Sequence, residues 1–437
     1  MKLRTSAIAL LLAAGLLTTA RAHPATRTTP IADHHAHLLS PAGAARIATP
    51  PLEAVAVPAE VAALIAAREA GWNDQVKLAG LYTDDAVLFE EWSETWIRKA
   101  EIPEFVGTRF ARAYRITPVS YSADGSSAHL AGYFTRDVDG KVKHFGHVLL
   151  ALRRGADGAW RIAAETLGFP GPAAREPANA ESLIAKLDEA GIDKAVVLST
   201  AYWWGSPLSA PVPDERQRVQ AENDWVAAEV SRHRSRLVGF CSFNPLKDYA
   251  LEEMARCTRD GRMKGLKLHF GNSDVDLKKP EHLARIKAVF GAANARRLPI
   301  VAHLWTDPAY GRAEAEIFLA QVLPEAPDIV VQIAHFAGGG PGYTDEALAV
   351  YAEAFNHDDP RVRNLYFDIA TVADGQTPQV LKTFAERIRQ IGPDRVLYGT
   401  DMAPPSARQS WLTFRTTTPL TEAEFADIAD NVAPYLR

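Results

Sequence analysis

Asp33-His34-His35-Ala36-His37 sets two imidazoles two residues apart, and on an extended strand such residues project from the same face. His35 and His37 can therefore share one cation, as two histidines four apart do on a helix. A lone pair of this kind is common by chance, so its meaning depends on what else the chain brings to it. Three further groups stand at the ends of apolar, β-branched runs: His303 closes Pro299–His303, His335 closes Ile329–His335, and Asp401 follows Arg395–Tyr398 in LYGTDMAP. Several imidazoles and one carboxylate at one rim form a hard-to-borderline ligand set that suits Zn²⁺, with Mn²⁺ or Fe²⁺ not excluded.

The elements that must position these groups are short strands alternating with amphipathic helical stretches from about Ala178 onward, the pattern of βα units around a parallel sheet. The strands read as Lys194–Ser199, Leu237–Phe243, Gly265–Phe270, Pro299–His303, Ile329–His335, Asn364–Ile369 and Arg395–Tyr398, with helices such as Glu181–Ala190 and Pro378–Ile391 between them. Seven strands need an eighth to close, and Thr29–His37 supplies it. The expected fold is thus α/β, a (β/α)₈ TIM barrel over residues 23–57 and 170–437, interrupted after its first strand.

The interruption, residues 58–169, has another texture. An opening helix through Leu81 precedes aromatic-rich strands at Tyr114–Tyr121, Ala128–Asp137, Lys143–Arg153 and Trp160–Leu167, with hairpin signals at Asp124-Gly125, Asp139-Gly140 and Asp157-Gly158. Helices followed by a curled antiparallel sheet make an α+β cone. The phrases LAGLYTDDAVLFEEW and GAWRIAAETLGF resemble the NTF2-like or SnoaL-like domain. An insert leaving the barrel at the carboxyl end of its first strand is expected over or beside the active-site mouth. Tyr82, Asp84, Asp85, Trp92, Trp96, His129 and His147 are candidates to line a second pocket there, without a spacing that specifies a catalyst.

The barrel's own pattern, HxH on the first strand, His on the fifth, His on the sixth and Asp after the eighth, resembles the amidohydrolase superfamily. LIAKLDEAGIDKAVVLS, ENDWVAAEVSRHRSRLVGFCSFNP, KGLKLHFG and VLYGTDMAP are similar to its amidohydrolase-related branch, which holds decarboxylases and lactonases as well as hydrolases. The resemblance implies that His35, His37, His303 and Asp401 ligate the metal, and that Asp401 also takes a proton from the water the metal activates. It gives His335 two roles: acid, base or oxyanion stabiliser in one-metal relatives, the preferred reading, or ligand of a second ion in two-metal relatives. In the latter a carboxylated lysine from the fourth strand bridges the ions, and Lys267 shares strand parity with His269. Lys267 otherwise serves as an ordinary charge reaching water or a carboxylate. His269 contacts substrate or is structural, and His34, of opposite parity, is expected to pack outside the barrel.

Trp203 and Trp204 after the second strand and Trp305 after His303 offer aromatic walls for a planar substrate, although core packing is the plainer use for each. HFAGGGPGY lacks the spacing of a phosphate loop and reads as a tight turn.

Lys2 and Arg4 precede an apolar run, Ala7–Leu17, that ends in Ala20-Arg21-Ala22. This is an export-signal pattern over residues 1–22 with a cut expected after Ala22, giving a periplasmic or secreted protein. The run is too short for a span, which needs about 20 apolar residues. Loss of the three cations Lys2, Arg4 and Arg21 would move the formal charge from −5 to −8, which argues against nucleic acid or an anionic membrane as partner. A small molecule and a homodimer through the insert are the partners expected. The only cysteines, Cys241 and Cys257, fall on a strand and the helix after it; a disulfide is compatible with an oxidising compartment, but two separate buried thiols are the preferred reading.

Three functions follow. The first is hydrolysis of an amide, lactone or ester by metal-activated water. The second is decarboxylation of an aromatic or unsaturated acid, and the third is ligand binding without turnover.

Overall fold

The computed structural model describes residues 28–47, 52–71, 74–90, 95–109, 115–138, 141–168, 177–209, 211–305, 310–401 and 406–437. The export-signal segment and Trp92 lie outside the described residues.

Eight strands form one parallel sheet in the order β1 (Ala32–Ala36), β8 (Lys194–Leu198), β9 (Leu237–Ser242), β10 (Met263–His269), β11 (Ile300–His303), β12 (Val331–Ile333), β13 (Leu365–Asp368) and β14 (Val396–Leu397). The first and last meet through main-chain bonds from His34 N to Tyr398 O (2.8 Å) and from Asp401 N to His35 O (2.6 Å). The sheet thereby closes on itself as a barrel. Buried residues between strands and outer helices make its main core, and a smaller cluster of Ala32, Val196, Leu198, Phe240, Val301, Ala334 and Leu436 fills the interior.

The helix Pro378–Ile391 shows how sequence sets these elements. Thr377 caps it by accepting from Val380 N, proline opens it, and Leu381, Phe384, Ala385, Ile388 and Ile391 form one buried stripe. Each such large side chain contributes about 1.5–3 kcal/mol on burial.

Between β1 and β8 in the chain lies a second, six-stranded sheet of β2 (Tyr82–Glu90), β3 (Thr95–Arg98), β4 (Arg115–Asp124), β5 (Ser127–Val138), β6 (Lys141–Arg154) and β7 (Trp160–Gly168), ordered β3-β2-β7-β6-β5-β4. It has its own core, in which Val61, Leu64 and Ile65 of the helix Ala59–Ala70 pack on Leu88, Leu130, Leu150 and Ile162. Two expectations are corrected here, and one strand is added. The opening helix is two helices, Ala59–Ala70 and Gln75–Gly80, the second capped by Asp74. The sheet is not wholly antiparallel, because β2 runs parallel to β7. The segment Tyr82–Glu90 is a strand that sequence pattern does not announce, since Asp84 and Asp85 interrupt its alternation.

Cys241 and Cys257 are joined as a disulfide, their Cα atoms 6.4 Å apart, contrary to the expectation of two thiols. The helix Ala250–Cys257 returns directly over β9 and brings the second sulfur to the first. Among the described residues no helix is long and apolar enough to cross a membrane.

Candidate metal centre

The site begins with the tautomers of the β1 histidines. His35 Nδ1 lies 3.0 Å from Asp368 Oδ2, and His37 Nδ1 lies 2.7 Å from the Leu198 carbonyl. A neutral imidazole carries one N–H, and in both rings that proton is committed to an oxygen at Nδ1. Each Nε2 is left with a bare lone pair. Those two atoms are 3.2 Å apart, and Asp401 Oδ1 lies 3.5 and 3.4 Å from them. Three acceptors thus converge on one point with no proton of their own between them, an arrangement a cation satisfies.

Burial keeps the rings neutral. It pushes His35 down to about 3, with the Lys267 charge adding to the effect, and lowers His37 as well. Burial alone would raise Asp401, but its imidazole surroundings, His335 first, outweigh it and hold the carboxylate well below its ordinary value. The aspartate is therefore ionised where the lone pairs meet. It has φ of 61°, a left-handed conformation that turns its side chain back toward β1. Gly399, two residues earlier, has no room for a side chain: a Cβ there would sit 2.7 Å from that of His35.

His335 ends the sixth barrel strand in a run of left-handed residues, His335 (φ 51°), Phe336 (48°), Ala337 (71°) and Gly338 (102°). Gly338 is required, since a Cβ would lie 2.6 Å from Trp305 N. His335 Nδ1 donates to Ala370 O at 2.8 Å and frees its Nε2; the ring centroid is 4.7 Å from that of His35 and 4.7 Å from that of His303. Ligand-capable atoms of His35, His335 and Asp401 all lie within 4.8 Å of one another. Position alone therefore makes His335 as fit to ligate as to move a proton.

His303 joins through its neighbours. It stacks on His269 at 3.9 Å with the rings 12° apart, and its buried Nε2 has no hydrogen-bond partner among the described residues. A buried polar atom left so costs about 1–3 kcal/mol, which a metal bond would offset. His269 has no such spare atom: its Nδ1 accepts from Asn272 N at 3.1 Å and its Nε2 lies 3.0 Å from the Asn272 side-chain amide. Lys267 is buried, with Nζ 3.2 Å from His35 Nε2, and burial lowers it to about 8.

The remaining candidates are placed elsewhere. His34 is buried between the Tyr398 carbonyl and the Ala433 amide, 3.1 Å from each. Trp204 is buried under the guanidiniums of Arg46 and Arg218, whereas Trp305 is largely exposed. In the insert Tyr82 is buried, donating to Glu165, which Arg68 also holds through two bonds of 3.2 and 2.8 Å. Asp84, Asp85, Trp96, His129 and His147 are instead exposed, so these residues do not converge on one interior pocket. The hollow beside His37 and Asp401 is lined by Ala178, Lys186, Thr400 and Ala407 among others, all outside the second sheet.

Sequence reading missed Asp368. This buried carboxylate accepts from His335 N (3.0 Å), Ala370 N (3.2 Å) and Gln332 Nε2 (2.7 Å), besides engaging His35. The signal available was its place at the end of LYFD, the same strand-end position that His303 and His335 occupy.

The amidohydrolase family model matches residues 159–431, more than half of the chain, and the protein belongs to that family. It is a metal-dependent enzyme of the amidohydrolase superfamily, and the His and Asp donors described above fit such an ion. No curated protein matches the chain. Among solved structures, 5-carboxyvanillate decarboxylase from Sphingomonas paucimobilis is 18% identical, with 56% of this chain and 79% of that one covered and a TM-score of 0.41. A dihydroxybenzoic acid decarboxylase from a Polaromonas species, with bound manganese, is 17% identical over 57% of this chain and 82% of that one, with a TM-score of 0.39. A ketosteroid isomerase-like protein from Erwinia carotovora atroseptica is 21% identical over 26% of this chain and 96% of its own, with a TM-score of 0.23. The second sheet and its helices form an α+β unit with a core of its own.

Proposed function

We propose that this enzyme uses a single divalent cation, held by His35, His37, His303 and Asp401, to cleave a small molecule that bears a carboxylate. The observation that carries the reading is the convergence of the unprotonated His35 and His37 Nε2 atoms on ionised Asp401, beside the buried ammonium of Lys267. A cation bound there supplies Lewis acidity, polarising a substrate oxygen and bringing the pKa of water from about 15.7 to about 7.

Lys267 supports one of the two chemistries over the other. Among the described residues no carboxylate forms an ion pair with its Nζ, which lies 3.2 Å from His35 Nε2. A buried ammonium without a carboxylate partner, beside a cation, favours an anionic substrate, and decarboxylation of an aromatic or unsaturated acid uses that anion. The carbon–carbon bond breaks, carbon dioxide leaves, and the electron pair remains on the substrate carbon, which takes a proton from an acid at the site. The proton comes from water, and His335 through its free Nε2 and Asp401 through its carboxylate are the groups placed to relay it to that carbon. The two solved decarboxylases named above illustrate this choice and do not carry it.

Hydrolysis of an amide, lactone or ester is the second reading, favoured by the Asp401 side chain, which is 29% exposed and thus open to water whose proton it can accept. Incubating metal-loaded protein with hydroxylated aromatic acids and, separately, with lactones, esters and amides tests both. Carbon dioxide release that is lost in Asp401→Ala supports the first reading, ring opening without it supports the second, and turnover of neither set by protein that takes up no metal defeats both.

Elemental analysis of the purified protein settles the ion, with one Zn²⁺ per chain proposed. Two ions would promote Lys267 to a carboxylated bridge and His335 to a ligand. We also propose export to the periplasm, which the leader pattern and the Cys241–Cys257 disulfide support; an intact amino terminus on protein from the cytosolic fraction would contradict it. A homodimer through the insert is tested by sedimentation with and without residues 58–169.

A further inference from the structure

The metal-facing histidines are tied to a residue on the far side of the barrel interior. Tyr435 lies in the turn Pro434–Leu436, whose Leu436 packs into the interior cluster with Ala32, Val196 and Phe240. The adjoining Ala433 N donates to His34 Nε2 at 3.1 Å, and the Tyr435 ring stands 5.3 Å from Phe240 and edge-on to His34 at 6.5 Å. The turn is thus seated as a floor to the barrel.

From that floor the Tyr435 hydroxyl donates to Gln332 Oε1. The other end of the same amide, Nε2, donates to the His34 carbonyl at 3.2 Å and to Asp368 Oδ2 at 2.7 Å. Asp368 then holds the His35 ring through Nδ1 at 3.0 Å and the His335 main chain through its N–H at 3.0 Å. Gln332 and Asp368 are both fully buried, so no water competes for these bonds.

We infer that Tyr435 and Gln332 are positioning residues for the metal centre, acting through Asp368 on His35 and His335. The inference rests on the metal-site reading above. The His34 carbonyl and the Asp368 carboxylate fix the NH₂ end of the amide, and the Tyr435 hydroxyl anchors its oxygen end by donating to Oε1. Without that hydroxyl the buried Oε1 loses its donor, and the amide is held only at the end that gives its NH₂ to the His34 carbonyl and Asp368. Asp368 then loses a fixed donor, and with it the anchor of both the ring that presents Nε2 to the metal and left-handed His335.

The test compares wild type with Gln332→Leu, Tyr435→Phe and Tyr310→Phe, the last deleting a buried hydroxyl that meets Tyr351 at 2.7 Å in another part of the core. Two measurements are made on each: the dissociation constant for Zn²⁺ by competition with a chromogenic chelator, and the imidazole ¹⁵N signals of His35 in metal-free protein. Partners beyond the ligands typically change metal affinity by about 10–100-fold. Gln332→Leu is expected to weaken Zn²⁺ about tenfold and Tyr435→Phe several-fold, both with loss of a single Nδ1–H signal for His35, whereas Tyr310→Phe alters neither. Affinity within twofold of wild type in both Gln332→Leu and Tyr435→Phe, with unchanged His35 signals, would overturn the inference. Equal weakening in Tyr310→Phe would overturn it also, because the effect would then be general destabilisation. If wild type takes up no divalent ion the metal reading falls by itself, and the metal-free ¹⁵N signals alone decide the positioning role.

Discussion

Asp368→Asn isolates how the metal centre depends on a residue that does not face the metal. All four neighbours of the carboxylate are donors: His335 N and Ala370 N on Oδ1, Gln332 Nε2 and the His35 Nδ1–H on Oδ2. Asparagine offers one acceptor oxygen and one NH₂, so in either orientation two donors meet a donor. The less costly orientation keeps oxygen on the two main-chain amides. His35 can then satisfy the new NH₂ only by exchanging tautomers, which places a proton on Nε2 and aims it at His37 and Asp401. A buried donor left unpaired costs about 1–3 kcal/mol, and loss of such partners weakens metal binding about 10–100-fold, equivalent to about 1.4–2.8 kcal/mol. Chelator competition on the purified variant reads this directly, and urea unfolding of metal-free protein reports the accompanying stability loss. An Asn variant that binds Zn²⁺ within twofold of wild type would refute the tautomer argument.

Gly399→Ala should weaken metal binding by about tenfold, because the added carbon falls 2.7 Å from His35 Cβ and 3.2 Å from Ala370 Cβ; unchanged chelator competition would show that the seam yields instead. Replacing Cys241 and Cys257 together with alanine opens a cross-link of sequence separation 16, near the ~15-residue loop for which about 3 kcal/mol is expected; the loss is read as a lower urea midpoint, and an unchanged midpoint would count against the bridge. Glu165→Gln leaves the buried Arg68 guanidinium without its bidentate carboxylate and should destabilise the inserted α+β unit by roughly 3–5 kcal/mol. Double replacement by Arg68→Met and Glu165→Leu should recover most of that in the same unfolding assay. Removing the metal should lower apparent stability by about 4.1 kcal/mol relative to protein in free metal at a thousand times Kd, and superimposable unfolding curves with and without chelator would defeat that expectation.

The barrel was legible because its strands are short β-branched runs at regular spacing, and because chemistry demands that His35, His37, His303, His335 and Asp401 gather at strand ends. What could not be read depends on contacts between distant segments. Asp368 stands at a strand end like the ligands, but one sequence does not say whether such an aspartate meets metal, a main-chain amide or an imidazole. Gln332 and Tyr435 carry no motif, since their role exists only once the Pro434–Leu436 turn has docked under the barrel. Strand β2 escaped because two exposed aspartates break its alternation, and its parallel pairing with β7 is a choice made by tertiary packing. The disulfide depended on where the helix Ala250–Cys257 settles over β9, which local pattern leaves free.

The same atoms that close the barrel also build the metal centre. β14 is two residues long, and beyond it the chain reaches β1 through Tyr398 O, Thr400 N and Asp401 N. Asp33 fastens this seam: its Oδ1 accepts from His35 N at 3.0 Å and Thr400 N at 3.2 Å, and its Oδ2 from the Thr400 hydroxyl at 2.6 Å. Burial pushes Asp33 up to about 6, so these bonds are what favour its charge in a dry place. Asp401, one residue past Thr400, holds a left-handed conformation that costs an ordinary residue about 1–2 kcal/mol. Such strain persists only where surrounding contacts over-determine it, and here the contact is the 2.6 Å bond from its own amide to the His35 carbonyl. An open seam would relax Asp401 and release His35 together, leaving no pair of lone pairs and carboxylate at one point. Metal affinity and barrel closure are therefore one equilibrium, in which the first residue of DHHAH secures the seam that lets the third and fifth meet the aspartate.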